Sequence, residues 1–415
     1  LVDLGVVVGD QRDVEPRQLG HLHLRNEGDV RRVEDGRVFG RLDDGTPFMC
    51  LCADVEVIPL VDRTEEFEAF FTAQLLRWNQ ADNKREMPWK GERDPYKVWL
   101  SEIILQQTRV EQGRQYYENI IETYPHIHAL AAADDIAVFK LWEGLGYYSR
   151  CSNMLTTARY ISHVLKGHFP NKYADIIQLK GIGPYTAAAI ASFCFNLPYA
   201  VVDGNVFRVL SRVGAISLPI DTTAGKQFFT AYADKLLHKK KPGLYNQAIM
   251  DFGATICTPK QPNCNSCTLQ KICAAYHTNT IDDFPIKEKR LIKTNRHFNY
   301  FILRHKNKIL VHQRFEKDIW QHLWQFVLHE TDAPIDWSIQ LVKDRIKQLY
   351  GIENCIVKNI MPADAQLLTH RKINGFFIEI EILKKVNMQA HTWLSLTEIK
   401  QKPFPRFCNQ YIATL

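Results

Sequence analysis

Beyond its first 62 residues the chain changes its hydrophobic period once, and that change limits what it can fold into. Up to the stretch Phe284–His297, "FPIKEKRLIKTNRH", the apolar residues fall at helical spacing. Beyond it they alternate, in "NYFILRH", "KILVHQR" and "FFIEIEIL", with one amphipathic helix, "IDWSIQLVKDRIKQLY", between them. Period 3.6 suits helices that bury one stripe and period 2 suits strands that bury one face, so the chain needs a helical domain followed by an α+β domain with a sheet. The basic, proline-containing stretch between them reads as a linker, placed at 281–296, with the second domain at 297–415.

A length of 415 residues leaves room for two or three such domains. No apolar run approaches the roughly 20 residues needed to span a bilayer. The N-terminus has no basic region followed by a long apolar core, so no secretion signal and a cytoplasmic or nucleoid setting are expected. Residues 1–62 carry 13 acidic and 7 basic side chains and no lysine, a net of −6, whereas the remainder carries +12 against +6 for the whole chain. That first stretch is expected to be either a small β-rich module or an artefact of translation from an upstream start. The basic remainder suits a polyanionic partner.

Four of the ten cysteines crowd into "CTPKQPNCNSCTLQKIC" as Cys257, Cys264, Cys267 and Cys273, spaced C-x6-C-x2-C-x5-C. In a chain without an export signal, close cysteines hold a metal more often than they form disulfides. With no histidine inside the cluster all four ligands would be thiolates, which suits either a [4Fe–4S] cluster or a structural zinc. Lys260, in the loop between the first two, could present charge to a phosphate backbone.

"KGIGPYTAAAIAS", Lys180–Ser192, reads as a helix–hairpin–helix turn, with "ADIIQL" ending the first helix. Gly181 and Gly183 relax the backbone, Pro184 suits the first helical position, and the alanines favour the second helix. Free N–H groups at that start could hold a phosphate; an ordinary corner between helices is the alternative. Asp94-Pro95 opens a helix in which Glu102 lies among Trp99, Ile103, Ile104 and Leu105. Burial there would raise its pKa and leave it a proton to donate, whereas an exposed helix face would not. Asp203, in "YAVVDGNVFRVLSR", enters another helix start, where the ionised form is favoured or where it serves only as an N-cap. One neutral acid and one anion suit cleavage of a glycosidic bond through a cationic transition state.

With the hairpin, the aspartate after it and the four cysteines in that order, the chain resembles the helix–hairpin–helix DNA glycosylases, and more closely the adenine DNA glycosylase family. The resemblance runs from about Thr64 to near the C-terminus, through "MPWK", "DPYKVWLSEIILQQTRV", "WEGLGYYSR", "LKGIGPYT", "VVDGNVFRVL" and "NQAIMDFGATIC". It implies a multi-domain protein: an all-α core at 63–280, and a C-terminal α+β Nudix-like domain. The core would comprise a six-helix barrel at about 92–193 and a [4Fe–4S] module made of 63–91 with 194–280, with DNA held between the two. Its four cysteines would be cluster ligands.

The resemblance also implies roles. Glu102 is expected to protonate an extruded adenine, Asp203 to stabilise the sugar cation and Asn205 to orient the site. Tyr185 stands where strand-cutting relatives carry a lysine, which implies base removal by water without an efficient lyase step. Gln107 and Tyr147 match residues that enter the base stack beside 8-oxoguanine. Arg85 and Gln247 match positions near the adenine pocket, with Trp89 and Leu105 its walls. The implied substrate is double-stranded DNA with adenine opposite 8-oxoguanine or guanine, and the implied enzyme a monomer without membrane association.

In the C-terminal domain the family often has a Phe-Ser-His loop, where this chain has "LTHRK" with Leu368, Thr369 and His370. Threonine keeps the hydroxyl and leucine loses the aromatic face. The metal-binding signature of Nudix pyrophosphohydrolases is absent, so nucleotide hydrolysis is not expected. Two other readings are a bifunctional lyase of the endonuclease III type, disfavoured by Tyr185, and a lesion-binding protein without catalysis.

Overall fold

The structure, a computed structural model, describes residues 28–34, 37–42, 47–51, 65–288 and 293–415. Gly28–Glu34 (β1), Arg37–Leu42 (β2) and Pro47–Leu51 (β3) form a small antiparallel sheet in that order. The rest of the expectation for residues 1–62 lies outside the described residues.

The helical part runs through α1 (Glu65–Ala81), α2 (Pro95–Leu105), α3 (Val110–Thr123), α4 (Ile127–Ala131), α5 (Asp135–Leu141) and α6 (Ser149–Arg159). It continues through α7 (Tyr173–Ile176), α8 (Pro184–Phe195), α9 (Gly204–Val213), α10 (Thr223–Leu236), α11 (Pro242–Thr255) and α12 (Ala274–His277). Local chemistry sets several starts. The Asp94 side chain accepts from the Tyr96 N–H ahead of Pro95, and Thr222 caps α10 through the Gly225 N–H. Of the "ADIIQL" expected to end a helix, only Ala174–Ile176 is α-helical, in the one-turn α7. The next backbone bonds, Leu179 N–H to Ile176 and Ile182 N–H to Leu179, are three-residue turns that lead into Gly181.

The described residues fall into two compact units. One joins residues up to Glu86 with the stretch from Ala188 to the inter-domain segment. Its core includes Phe71, Leu75, Val209 and Phe229, with Trp78 edge-on to Phe252 at 5.0 Å. The other joins Met87–Ala187 with the C-terminal domain, so the barrel helices and the sheet belong to one unit.

In the C-terminal domain the strands are β4 (Thr294–His305), β5 (Lys308–Gln313), β6 (Trp324–Thr331), β7 (Cys355–Pro362), β8 (Gln366–Leu367), β9 (Arg371–Ile382) and β10 (His391–Ser395). The sheet order is β10-β5-β6-β4-β9-β7, with β8 paired to β9, and only β4 and β9 run parallel. Helix α13 (Ile339–Tyr350) covers it through Val342 and Ile346 against Phe301, Leu303, Ile378 and Ile380. Two short helices, α14 (Leu396–Lys400) and α15 (Arg406–Ile412), end the chain.

Two boundaries differ from the sequence reading. The amphipathic helix begins at Ile339 because the Ser338 side chain caps it through the Leu341 N–H, which leaves Ile335–Trp337 outside. The segment placed at 281–296 is overrun at both ends. Phe284 is buried in the first unit, the Glu288 N–H donates to Asp221, and Thr294 already pairs in β4.

Candidate active site and DNA-facing residues

In the first unit, α9 and α11 hold most of the candidate chemistry. Asp203 caps α9: one carboxylate oxygen accepts the Asn205 and Val206 N–H groups at 2.9 and 2.8 Å, and the other accepts Asn205 Nδ2 at 2.7 Å. The helix start alone would favour the ionised form expected from sequence. Enclosure of the carboxyl outweighs it and pushes its pKa above the ordinary value, against those three bonds and the nearby Arg208.

Arg208, one turn further on, donates to Asn205 Oδ1 at 2.9 Å, to the Gly253 carbonyl at 2.6 Å and to the Cys257 carbonyl at 2.7 Å. A Cβ on Gly253 would lie 2.7 Å from Asn205 Cβ, so the close packing of α9 on α11 requires glycine there.

Arg85 and Gln247 meet on a residue the sequence reading did not single out. The fully buried Asp251 accepts Arg85 Nη1 at 2.8 Å, Gln247 Nε2 at 3.0 Å and Asn83 Nδ2 at 2.9 Å. Asp251 stands four residues after Gln247 on α11, so the helical repeat was the available signal.

The cysteine segment follows α11. Cys264 opens a 3₁₀ turn, Cys273 caps α12, and the four are free thiols. Buried Arg212 runs beneath them, donating to the Thr258 carbonyl at 2.7 Å and approaching Cys257 Sγ at 3.5 Å. Burial first, and then the neighbouring thiols, raise the pKa values of Cys264, Cys267 and Cys273. Among the described residues no three His, Cys, Asp or Glu side chains converge closely enough to hold a metal ion. The donor set, four cysteine sulfurs from one segment with Cys257 Sγ beside a buried guanidinium, fits a thiolate-bound group in its chemistry. Lys260 is exposed on the loop.

In the second unit Glu102 is buried, with 6% of its surface exposed, so the reading that set it on an open helix face is excluded. Trp89 is buried edge-on to Tyr117 at 5.2 Å, and Leu105 is half-buried against α3 beside Gly113. Gln107 and Tyr147 both take left-handed backbone conformations, φ 55° and 48°, which is uncommon for residues with a Cβ.

Arg150 ties their two turns together. It donates to the Ile103, Ile104 and Gln106 carbonyls at 2.9, 2.8 and 2.6 Å and to the Gly146 carbonyl at 3.2 Å. Its acceptors are the open end of α2 and a neighbouring turn rather than a carboxylate. Burial accordingly pushes its pKa down to about 10.

At the hairpin, Gly181 has φ 81° and a Cβ there would strike Asn153 at 2.8 Å. Gly183 is different, since its φ is ordinary and the space beside it is open. The start of α8 beside it is open, and Tyr185 in its first turn is half-buried. In the C-terminal domain, the Leu368 N–H donates to the Arg371 carbonyl at 2.8 Å, which leaves Thr369 and His370 at the tip of the β8–β9 hairpin. There the Thr369 hydroxyl hydrogen-bonds the Tyr147 hydroxyl of the same unit.

The family model for HhH-GPD superfamily base excision DNA repair proteins matches residues 100–225, and that for the NUDIX domain matches 299–414. Together with the hairpin and the acid at a helix start, they define an enzyme of base-excision repair, a DNA glycosylase carrying a NUDIX domain. An adenine DNA glycosylase of Buchnera aphidicola (Acyrthosiphon pisum) is 35% identical, covering 81% of this chain and 95% of its own. One from the Schizaphis graminum strain is 34% identical, covering 64% and 77%, and that of Homo sapiens 41%, covering 49% and 39%. The chain belongs to the adenine DNA glycosylase family. DNA is its partner. No helix among the described residues is long and apolar enough to cross a membrane.

Proposed function

We propose that this glycosylase removes adenine from duplex DNA in which it stands opposite 8-oxoguanine or guanine. Extrusion of the adenine costs a few kcal/mol and is cheaper at a mispair. The buried Glu102 then gives its proton to the base, which leaves with the electron pair of the C1′–N bond. The Asp203 carboxylate stabilises the resulting sugar cation until water adds, and Asn205 Nδ2 holds that carboxylate in place. Arg85 and Gln247, held on Asp251, orient the base, with Trp89 and Leu105 at the pocket wall. Gly183 and the hairpin amides receive a phosphate, with exposed Lys260 beside another.

The observation that carries the opposing-base part is the Tyr147–Thr369 hydroxyl contact. It joins two residues 222 positions apart, each matching a residue on the 8-oxoguanine side of the family's site. Gln107, strained in its turn, would enter the stack nearby, and His370 shares the hairpin tip.

A single-turnover assay on A:8-oxoG, A:G and T:G duplexes tests the reading: adenine should be released fastest opposite 8-oxoguanine and thymine not at all. Thr369→Ala should lower the 8-oxoG:A over G:A preference about fivefold, the value of one hydrogen bond. Equal rates on the two adenine duplexes by the unaltered protein would refute it. Tyr185 has no amine for a Schiff base, so borohydride in the same assay should trap no protein–DNA adduct.

The cofactor belongs to the same proposal. Cys257, Cys264, Cys267 and Cys273 would hold a [4Fe–4S] cluster, whose part is structural and electrostatic, since hydrolysis moves no electrons. Anaerobically purified protein should carry about four iron atoms per chain, as that cluster type requires. Stoichiometric zinc without iron would overturn the assignment.

A further inference from the structure

We infer that Glu143 and Lys140 form a latch between the barrel helices and the C-terminal domain, and that this latch sets the opposing-base preference by fixing Thr369 against Tyr147. The inference rests on the proposed role of those two hydroxyls. It begins with "KPFPR", Lys402–Arg406. Proline has no N–H, so within 403–405 only Phe404 offers a backbone donor. The Phe404 ring is fully buried in the C-terminal domain, 5.5 Å from that of Phe326, so its amide cannot swing freely to another partner.

That partner comes from the other domain of the unit. Glu143 Oε1 accepts the Phe404 N–H at 2.7 Å and Asn409 Nδ2 at 3.1 Å. Its second oxygen takes Lys140 Nζ at 2.6 Å, and the same ammonium donates to the Lys402 carbonyl at 3.1 Å. A carboxylate and an ammonium at the end of α5 thus hold both a donor and an acceptor of one short, proline-stiffened segment. Charge-assisted bonds of this kind are the stronger sort.

Glu143 also opens the turn that ends in Tyr147. The Tyr116 hydroxyl pins the Glu143 carbonyl at 2.8 Å, and Gly144 and Gly146 take φ 91° and 79°. One fixed turn therefore carries the latch at one end and the Tyr147 hydroxyl at the other. If the latch opens, the domain that carries Thr369 is free to shift, and the Tyr147–Thr369 contact is what such a shift disturbs. Glu143 is in this sense a positioning residue.

The test uses the full-length protein with Glu143→Ala and Glu143→Gln. In Glu143→Ala, excision from G:A should stay within about twofold, while the 8-oxoG:A over G:A preference falls about fivefold. Hydrogen exchange at the Phe404 amide should accelerate about tenfold, with the Val327 amide unaltered. Glu143→Gln keeps an acceptor oxygen and should recover part of both. An unaltered preference, with Phe404 exchanging fast, would overturn the inference, as would unaltered exchange. If the unaltered protein has no preference to lose, the proposed hydroxyl reading fails instead, and Phe404 exchange alone then judges whether the latch exists.

Discussion

Glu102→Gln is expected to lower single-turnover adenine excision about 10³-fold while DNA binding is retained, which single-turnover rates and equilibrium binding to an uncleaved duplex would together establish. The magnitude follows from what a positioned proton donor contributes, typically 10²–10⁴-fold. The specificity of the effect follows from shape: glutamine fills the same buried space on α2 but has no proton to give. A loss below tenfold would remove Glu102 from the chemistry.

The pH dependence has a defined sign. Asp203 must be ionised to stabilise the sugar cation, so the rate falls as pH drops through its pKa. Because enclosure raises that pKa, the fall should begin at a higher pH than an exposed aspartate would give. An acid limb at the ordinary carboxylate position, or none, would contradict the assignment.

Arg150→Met should produce the largest loss of local stability, about 3 kcal/mol in the opening of α2. A helix end leaves carbonyls without partners, and a cation there is favoured by the helix dipole. Here one buried guanidinium serves three such carbonyls, those of Ile103, Ile104 and Gln106, and also Gly146. Methionine keeps the bulk and strands them. Arg150→Lys keeps the charge without the planar fork and should fall between.

Hydrogen exchange of the α2 amides is the suitable measure, since a chain of two units need not unfold in one step. Unaltered exchange would mean that water replaces the guanidinium. Because Gln107 and Tyr147 sit in strained conformations on either side of this clasp, the 8-oxoG:A preference should decline with it.

Much of the architecture lay open in the residue pattern. The change from period 3.6 to period 2 marked the helical and sheet domains, because periodicity records which face of an element is buried. Asp94-Pro95, the glycines of the hairpin and the cysteine spacing are local signals, and each specifies a turn or a donor set without help from distant residues. Burial of Glu102 was also foreseeable from its apolar neighbours on one helix.

What the residues by themselves could not determine was every contact made across large separations. That Arg85 reaches Asp251, that Arg150 serves carbonyls instead of a carboxylate, and that Glu143 answers the lone N–H between two prolines depend on groups brought together only by packing. The sign of the Asp203 shift belongs here too: sequence shows a helix start, which favours the anion, but the degree of enclosure that outweighs it exists only once the chain has folded. The sequence by itself determined the period of each element, the helix starts and the chemistry available. The tertiary structure alone decided which buried polar groups meet, because an unpaired one is too costly to leave and its partner can lie anywhere along the chain.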